Sequence, residues 1–205
     1  MGGLIRRGRF LWPETDCHAH PVIERELSSL DRGLSHTTGR ALAIQAGGNV
    51  GVWPAYLAER FETVVTVEPE PVNYECLRQN VPDNVRHRQA AFGAEAGHVA
   101  MELTPQNAGA HWIRPGGGEV PMVTIDSLSV DACDIIVLDV EGSEFFALQG
   151  AVQTVAQFRP VIQFEQKGLG ERYFGLSPAA AQALLQSWGY RVVEAVKRDL
   201  IMVPA

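Results

Sequence analysis

Up to about residue 40 the chain is mixed, and no strand pattern stands out there. Val22, Ile23, Leu27, Leu30 and Leu34 recur at near-helical spacing and predict a short amphipathic helix over Pro21–Leu34. From Ala41 the pattern changes to short aliphatic or β-branched runs alternating with helical periods. ALAIQA, TVVTVEP, NVRHRQAAFG, DIIVLDV and RPVIQFEQ read as strands. VWPAYLAERF, PVNYECLRQNV, SEFFALQGAVQTVAQF and SPAAAQALLQSWG read as helices. In the last of these, Ser177 is the expected N-cap, Pro178 the first helical residue and Gly189 the stop. Roughly residues 97–120 carry turn signals (QNAGAH, RPGGGE) and predict loops with short strands. YRVVEAV and LIMV, joined by KRD, predict a closing antiparallel pair, since so short a turn cannot make a parallel crossover. The expectation is an α/β fold with a mostly parallel, doubly wound sheet. Residues 1–40 would be a helical lead-in and 41–205 the domain proper.

Composition narrows the function. The chain has 205 residues, 46% hydrophobic and 20% charged, with 17 Lys and Arg against 24 Asp and Glu, for a net charge of -7. That is a globular balance, and it argues against a nucleic-acid partner, which would need clustered cations. Cys17, Cys76 and Cys133 are odd in number and far apart, so neither a disulfide framework nor a zinc knuckle is expected. No run approaches 18 apolar residues and the amino terminus lacks a signal-peptide core, so no membrane partner is expected and the cytoplasm is the default compartment.

In an open parallel sheet, ligands bind beyond the carboxyl ends of the strands. The first predicted strand ends in Gln45-Ala46-Gly47-Gly48-Asn49-Val50-Gly51, whose glycines allow a sharp turn and close approach of a ligand to the backbone. The second ends in Glu68, 21 residues after Gly47, placed to accept both hydroxyls of a ribose. Together they point to an adenosine-containing cofactor; alone, the glycines would signify only a tight turn and Glu68 a solvated strand end. The dinucleotide fingerprint is partly met, because its first glycine would fall on Ala46, and no Gly-Lys-Ser/Thr follows to make a phosphate loop. The fourth strand ends Asp139-Val140-Glu141-Gly142-Ser143-Glu144. Asp139 and Glu141 would share a face if the backbone stayed extended, and paired acids there suit general-base work or contact with a cation. Ser143 and Glu144 read as a helix cap.

QAGGNVG, VEPEP, NV…AAFG, TIDSL, LDVEG, LQGA and RPVIQFE occur in that order. This ordered set resembles the FkbM-type family of S-adenosylmethionine-dependent methyltransferases over roughly residues 41–165. The resemblance implies a Rossmann-like class I methyltransferase fold, with a seven-stranded, mostly parallel sheet and an antiparallel C-terminal strand. It implies S-adenosyl-L-methionine as cofactor and a hydroxyl oxygen of a small molecule or sugar as acceptor. It places the methionine part of the cofactor over Gly47, Gly48, Asn49 and Gly51, the ribose at Glu68 beside Pro69, and the adenine against Ala90 and Ala91. Asp139 and Glu141 would face methyl donor and acceptor. Two positions depart from the family pattern: Gln45 stands where an acid is expected to meet the cofactor's ammonium, and Val137 where lysine is common.

An alcohol is a poor nucleophile until deprotonated, so a base is expected. The candidates are Asp139, Glu141, His111 and Glu165; the alternative for Glu165 is a strand-end carboxylate paired with Lys167, and for His111 a solvated loop histidine. Asp16-Cys17-His18-His20 has the composition of a metal site but no second shell in view, so no metal is expected, although His18 or His20 could line an acceptor pocket. Trp12, Trp53 and Trp112 read as packing residues, and Arg6, Arg7 and Arg9 as a solvated arm. Two other functions remain open at this point: a cofactor-binding domain without turnover, raised by Gln45 and Val137, and an NAD-dependent oxidoreductase.

Overall fold

The computed structural model describes residues 3–205. Its centre is a seven-stranded sheet of β3 (Leu42–Ala46), β4 (Thr63–Val67), β5 (Val85–Arg88), β10 (Ile135–Leu138), β11 (Val161–Glu165), β12 (Tyr190–Val196) and β13 (Asp199–Pro204). The order is β12-β13-β11-β10-β3-β4-β5. Neighbours from β11 through β10, β3 and β4 to β5 are parallel, while β13 runs antiparallel to both β11 and β12. The closing pair is therefore as expected, with the antiparallel strand second from the edge. Strand order reverses between β3 and β10, which creates a crevice above their carboxyl ends.

Side chains alternate across this sheet and build two cores. Ala43, Val64, Ile135 and Val137 face α1 (His20–Leu34), α2 (Val52–Ala58) and α3 (Pro71–Asn80). Ile44, Val65, Ile136, Leu138 and Phe164 face α4 (Glu144–Gln149), α5 (Val152–Phe158) and α7 (Ala180–Ser187). Both faces are covered, which is why these strands read as unbroken apolar runs. No helix among the described residues is long and apolar enough to cross a membrane.

Several expectations need correction. The lead-in begins with a hairpin, β1 (Leu4–Arg7) and β2 (Phe10–Pro13), which buries Phe10 and Trp12. The basic arm is folded into it: Arg7 lies 3.5 Å from Asp16 and Arg9 3.1 Å from Glu59. The third predicted strand is two, because the chain leaves the main sheet after Arg88. β6 (Ala91–Phe92) joins a second sheet, ordered β6-β9-β7-β8, with β7 (Gly97–Glu102), β8 (Trp112–Pro115) and β9 (Val120–Val123). The helix predicted over 143–158 breaks at Gly150, where a Cβ would stand 2.1 Å from the Gly93 carbonyl oxygen. Ser177 caps nothing with its side chain: its carbonyl accepts from Ala180 N and α7 begins there. A short helix, α6 (Leu169–Phe174), was not expected from the sequence. Tyr173 within it stacks on Trp112, 4.1 Å between centroids and 2° from coplanar.

Candidate functional site

A cleft of about 830 Å³ opens at the reversal point, at the upper end of the range for small-molecule sites. Its first wall is the turn after β3. Gly47 has φ +79°, and a Cβ on it would lie 1.8 Å from the carbonyl oxygen of Asp139. Only glycine lets the turns after β3 and β10 come this close. Ala46 and Leu138 are register partners, and Asp139 N donates to Ala46 O at 3.2 Å. The glycine turn and the first acidic residue are thus adjacent because their strands are paired.

Glu68, 5% exposed, follows β4. Its carboxylate accepts from Asn49 N at 2.7 Å and from Glu70 N at 2.9 Å, which fixes it against the glycine turn. Burial pushes its pKa up to about 7 despite these two donors. Each carboxylate oxygen accepts one of these bonds and keeps further accepting capacity, and Glu68 lines the cleft. Gly47, Gly48, Asn49, Pro69 and Ala91 line the cleft as well. Gln45, Gly51 and Ala90 do not. Gln45 is fully buried, donates to the Ala46 and Gly47 carbonyls, and accepts from Thr66 Oγ1. Gly51 starts α2 in a left-handed conformation, and Ala90 lies in the core beneath.

Asp139, Glu141 and Glu165 form the opposite part of the floor, with one oxygen of each lying within 4.8 Å of the others. The expected mechanism of this meeting is corrected. β10 ends at Leu138 and Glu141 has φ +49°, so a turn, not the two-residue strand period, brings the carboxylates together. Lys167 Nζ lies 2.5 Å from Glu165 and 3.0 Å from Glu141, so Glu165 is paired with Lys167 and lines the cleft too. Asp139 Oδ1 is buried with no hydrogen-bond partner. Burial raises all three acids; the charge of Asp139 adds to the rise at Glu141 and Glu165, that of Asp199 adds to it at Asp139, and Lys167 opposes it at each. Three hard oxygens this close also have the donor set of a divalent-cation site, which the sequence did not lead us to expect. Ser143 is the N-cap of α4 but its hydroxyl donates to Val140 O instead of capping; Glu144, in the first turn, accepts from Gly142 N at 3.1 Å.

His111 lines the cleft, but Thr104 N donates to its Nδ1 at 3.0 Å and burial depresses its pKa. A neutral ring with Nδ1 accepting carries its proton on Nε2. His111 is thus placed as a hydrogen-bond donor, not as the base it was expected to be. Asp16 is a clamp, not a metal ligand: it accepts from Ala19 N, His20 N and Ala108 N. Burial pushes Asp16 up, yet those N–H groups and Arg7 outweigh it and hold its pKa low. Ala108 O accepts from Asn49 Nδ2 and Asn73 Nδ2, which fastens the loop carrying His111 over the glycine turn. Of His18 and His20, His18 lines the cleft, whereas Asn73, Glu26 and Lys167 were missed as cleft residues. Only the fold brings them there, since their local sequence carries no motif.

A family model described as the methyltransferase FkbM domain matches residues 45–192. The chain belongs to the FkbM methyltransferase family. No curated protein matches it. Among solved structures it resembles the methyltransferase FkbM from Methylobacillus flagellatus KT, at 17% identity and a TM-score of 0.51, over 79% of this chain and 42% of that one. It also resembles the N-methyltransferase NodS from Bradyrhizobium japonicum WM9, at 11% identity and a TM-score of 0.52, over 89% and 96% of the two chains. Trm5b from Pyrococcus abyssi matches at 12% identity and a TM-score of 0.52, over 98% of this chain and 54% of that one. The chain thus spans about half or less of two of these proteins. At such identities the likeness establishes the class I methyltransferase fold and nothing finer. S-adenosylmethionine is the cofactor of this family member.

Proposed function

We propose that this FkbM-family methyltransferase methylates a hydroxyl oxygen of a small molecule. The observation that carries the reading is Asp139. Its buried, unpartnered Oδ1 belongs to a residue whose backbone touches the glycine turn, and its carboxyl group lies within reach of Glu165. S-adenosylmethionine supplies a methyl group on a positively charged sulfur. Gly47, Gly48 and Asn49 would receive its methionine end, Glu68 its ribose hydroxyls, and Ala91 the adenine. The close approach that Gly47 permits and the free accepting capacity of Glu68 fit that group.

The chain's own work is then positional and basic. The cleft holds the acceptor oxygen in line with the methyl carbon, the main source of rate in such a displacement. The Asp139 carboxylate would take the proton of the acceptor hydroxyl, with Glu165 beside it sharing the charge. Lys167 keeps the trio partly ionised, and His111 donates from Nε2 to a polar group of the acceptor.

Calorimetric titration with S-adenosylhomocysteine, with NAD in parallel, tests the cofactor half. Labelled methyl transfer to hydroxylated metabolites tests the rest. Asp139→Asn is expected to bind S-adenosylhomocysteine like the parent and to lose about 10²–10⁴-fold in turnover. Parental turnover in that variant would move the base elsewhere, and NAD binding alone would overturn the methyltransfer reading.

A further inference from the structure

The cleft divides by charge. Beyond the carboxylate floor, on the side away from Glu68, three cations reach its mouth: Arg172 from α6, and Lys197 and Arg198 from the two-residue turn between β12 and β13. All three are exposed and line the cleft, and none has a hydrogen-bond or ion-pair partner among the described residues. Most other basic side chains are engaged. Arg7 is held by Asp16, Arg9 by Glu59, Arg32 by Glu194, Arg78 by Glu75, and Arg114 by Glu102. The chain's only two lysines, Lys167 and Lys197, both line this cleft.

Arg172, Lys197 and Arg198 outnumber Glu26 and Asp199 on this side of the cleft, a locally basic rim on a protein of net charge -7. Such a rim at a cleft attracts and orients an anion. The deep end has the opposite character, with Asp139, Glu141 and Glu165 sharing one cation, Lys167. Glu26 and Asp199 also line this side; Asp199 is occupied by Ser29 and Gln163. Val22, Ile23, Leu169 and Tyr173 line the cleft as well. An anionic group is repelled from the floor and drawn to the rim, which leaves a hydroxyl to face Asp139.

We propose that the acceptor carries a carboxylate or phosphate group, held by Arg172, Lys197 and Arg198, which turns its reacting hydroxyl toward Asp139. This rests on the methyltransfer reading and adds the acceptor class to it. Arginine would grip either anion with a bidentate fork, and Lys197 would add a point charge.

The test is calorimetric titration of the S-adenosylhomocysteine-loaded protein with glucose, glucuronate and glucose 6-phosphate. The two anionic sugars are expected to bind at least about tenfold more tightly than glucose. That preference should disappear near 0.5 M salt, where the screening length falls to about 4 Å. The better of the two anions tells carboxylate from phosphate. Arg172→Gln, Lys197→Gln and Arg198→Gln combined should abolish the preference while leaving S-adenosylhomocysteine affinity within about twofold. Equal binding of all three sugars, binding of none, or a preference that survives the triple substitution overturns the proposal. Failure of S-adenosylhomocysteine itself to bind the folded protein would instead strike the reading on which it rests.

Discussion

Glu68 ties cofactor affinity to pH. Its carboxyl is raised from an ordinary 4.5 to about 7, and desolvation is the leading cause. A raised acid holds its proton more tightly in the folded state than in the unfolded one. The ionised form therefore costs folding stability that is lost as pH rises from 4.5 through 7, about 3 kcal/mol in all. Two ribose hydroxyls donating to this group would favour the carboxylate, so binding below pH 7 must expel a proton. The expected signature is S-adenosylhomocysteine affinity that weakens about tenfold per pH unit below 7 and levels off above it.

Glu68→Gln isolates the effect. At pH 8 the variant loses the charge-assisted part of both hydroxyl bonds, about 2–3 kcal/mol, or roughly 30- to 150-fold in affinity. Its amide must turn one N–H toward Asn49 N or Glu70 N, but it also removes a buried charge, so the unliganded protein should remain folded. Near pH 5.5 the two proteins should bind almost equally. Titration calorimetry from pH 5.5 to 8.5 measures this, and any slope left in Glu68→Gln belongs to other groups. Parental affinity that is flat across this range, or an unchanged slope in the variant, would refute the ribose role of Glu68 and the burial argument behind it.

Lys167→Met should destabilise the protein more at pH 8 than at pH 5, because without the counter-charge Asp139, Glu141 and Glu165 hold their protons still more tightly in the folded state while the unfolded carboxyls ionise. Thermal unfolding at the two pH values checks it, and an equal loss at both would show that Lys167 acts by packing alone. Val137→Lys, at a site 1% exposed, should cost about 3 kcal/mol in urea unfolding. Adding Gln45→Glu should recover about half of that or more; simple additivity in the double variant would count against direct contact between the two positions.

The main sheet was legible because both its faces are buried, and an apolar run needs no partner in sequence to declare itself. The hairpin was hidden for the opposite reason: Leu4, Ile5 and Arg6 of β1 are exposed, so that strand has no alternating face. Gly150 reads as a tolerable helix residue until Gly93 is known to press against it. At the site, Gly47, Glu68 and Asp139 were readable because each ends a strand at the sheet's reversal point. Lys167 and Asn73 were not, since the first acts across two strands and the second through a loop 35 residues away.

The two departures from the pattern that the resemblance implies fall on one paired position of the sheet. Val137 and Gln45 are register partners on neighbouring parallel strands, 1% and 0% exposed, on the same face of the sheet. Paired positions in such strands stand about 4.8 Å apart, so an acid at 45 and a lysine at 137 would form a buried ion pair. Losing either member alone would strand a charge in the core. Losing both exchanges a costly pair for a valine and a glutamine satisfied by Thr66 and two carbonyls. Gln45 also lies outside the cleft lining, so its neutrality removes no charge from the cleft surface itself. The substitutions that first suggested a retired active site are therefore explained by repacking of the sheet beneath it. The acids above it, Glu68, Asp139 and Glu165, still line the cleft where the proposed binding and proton transfer would use them.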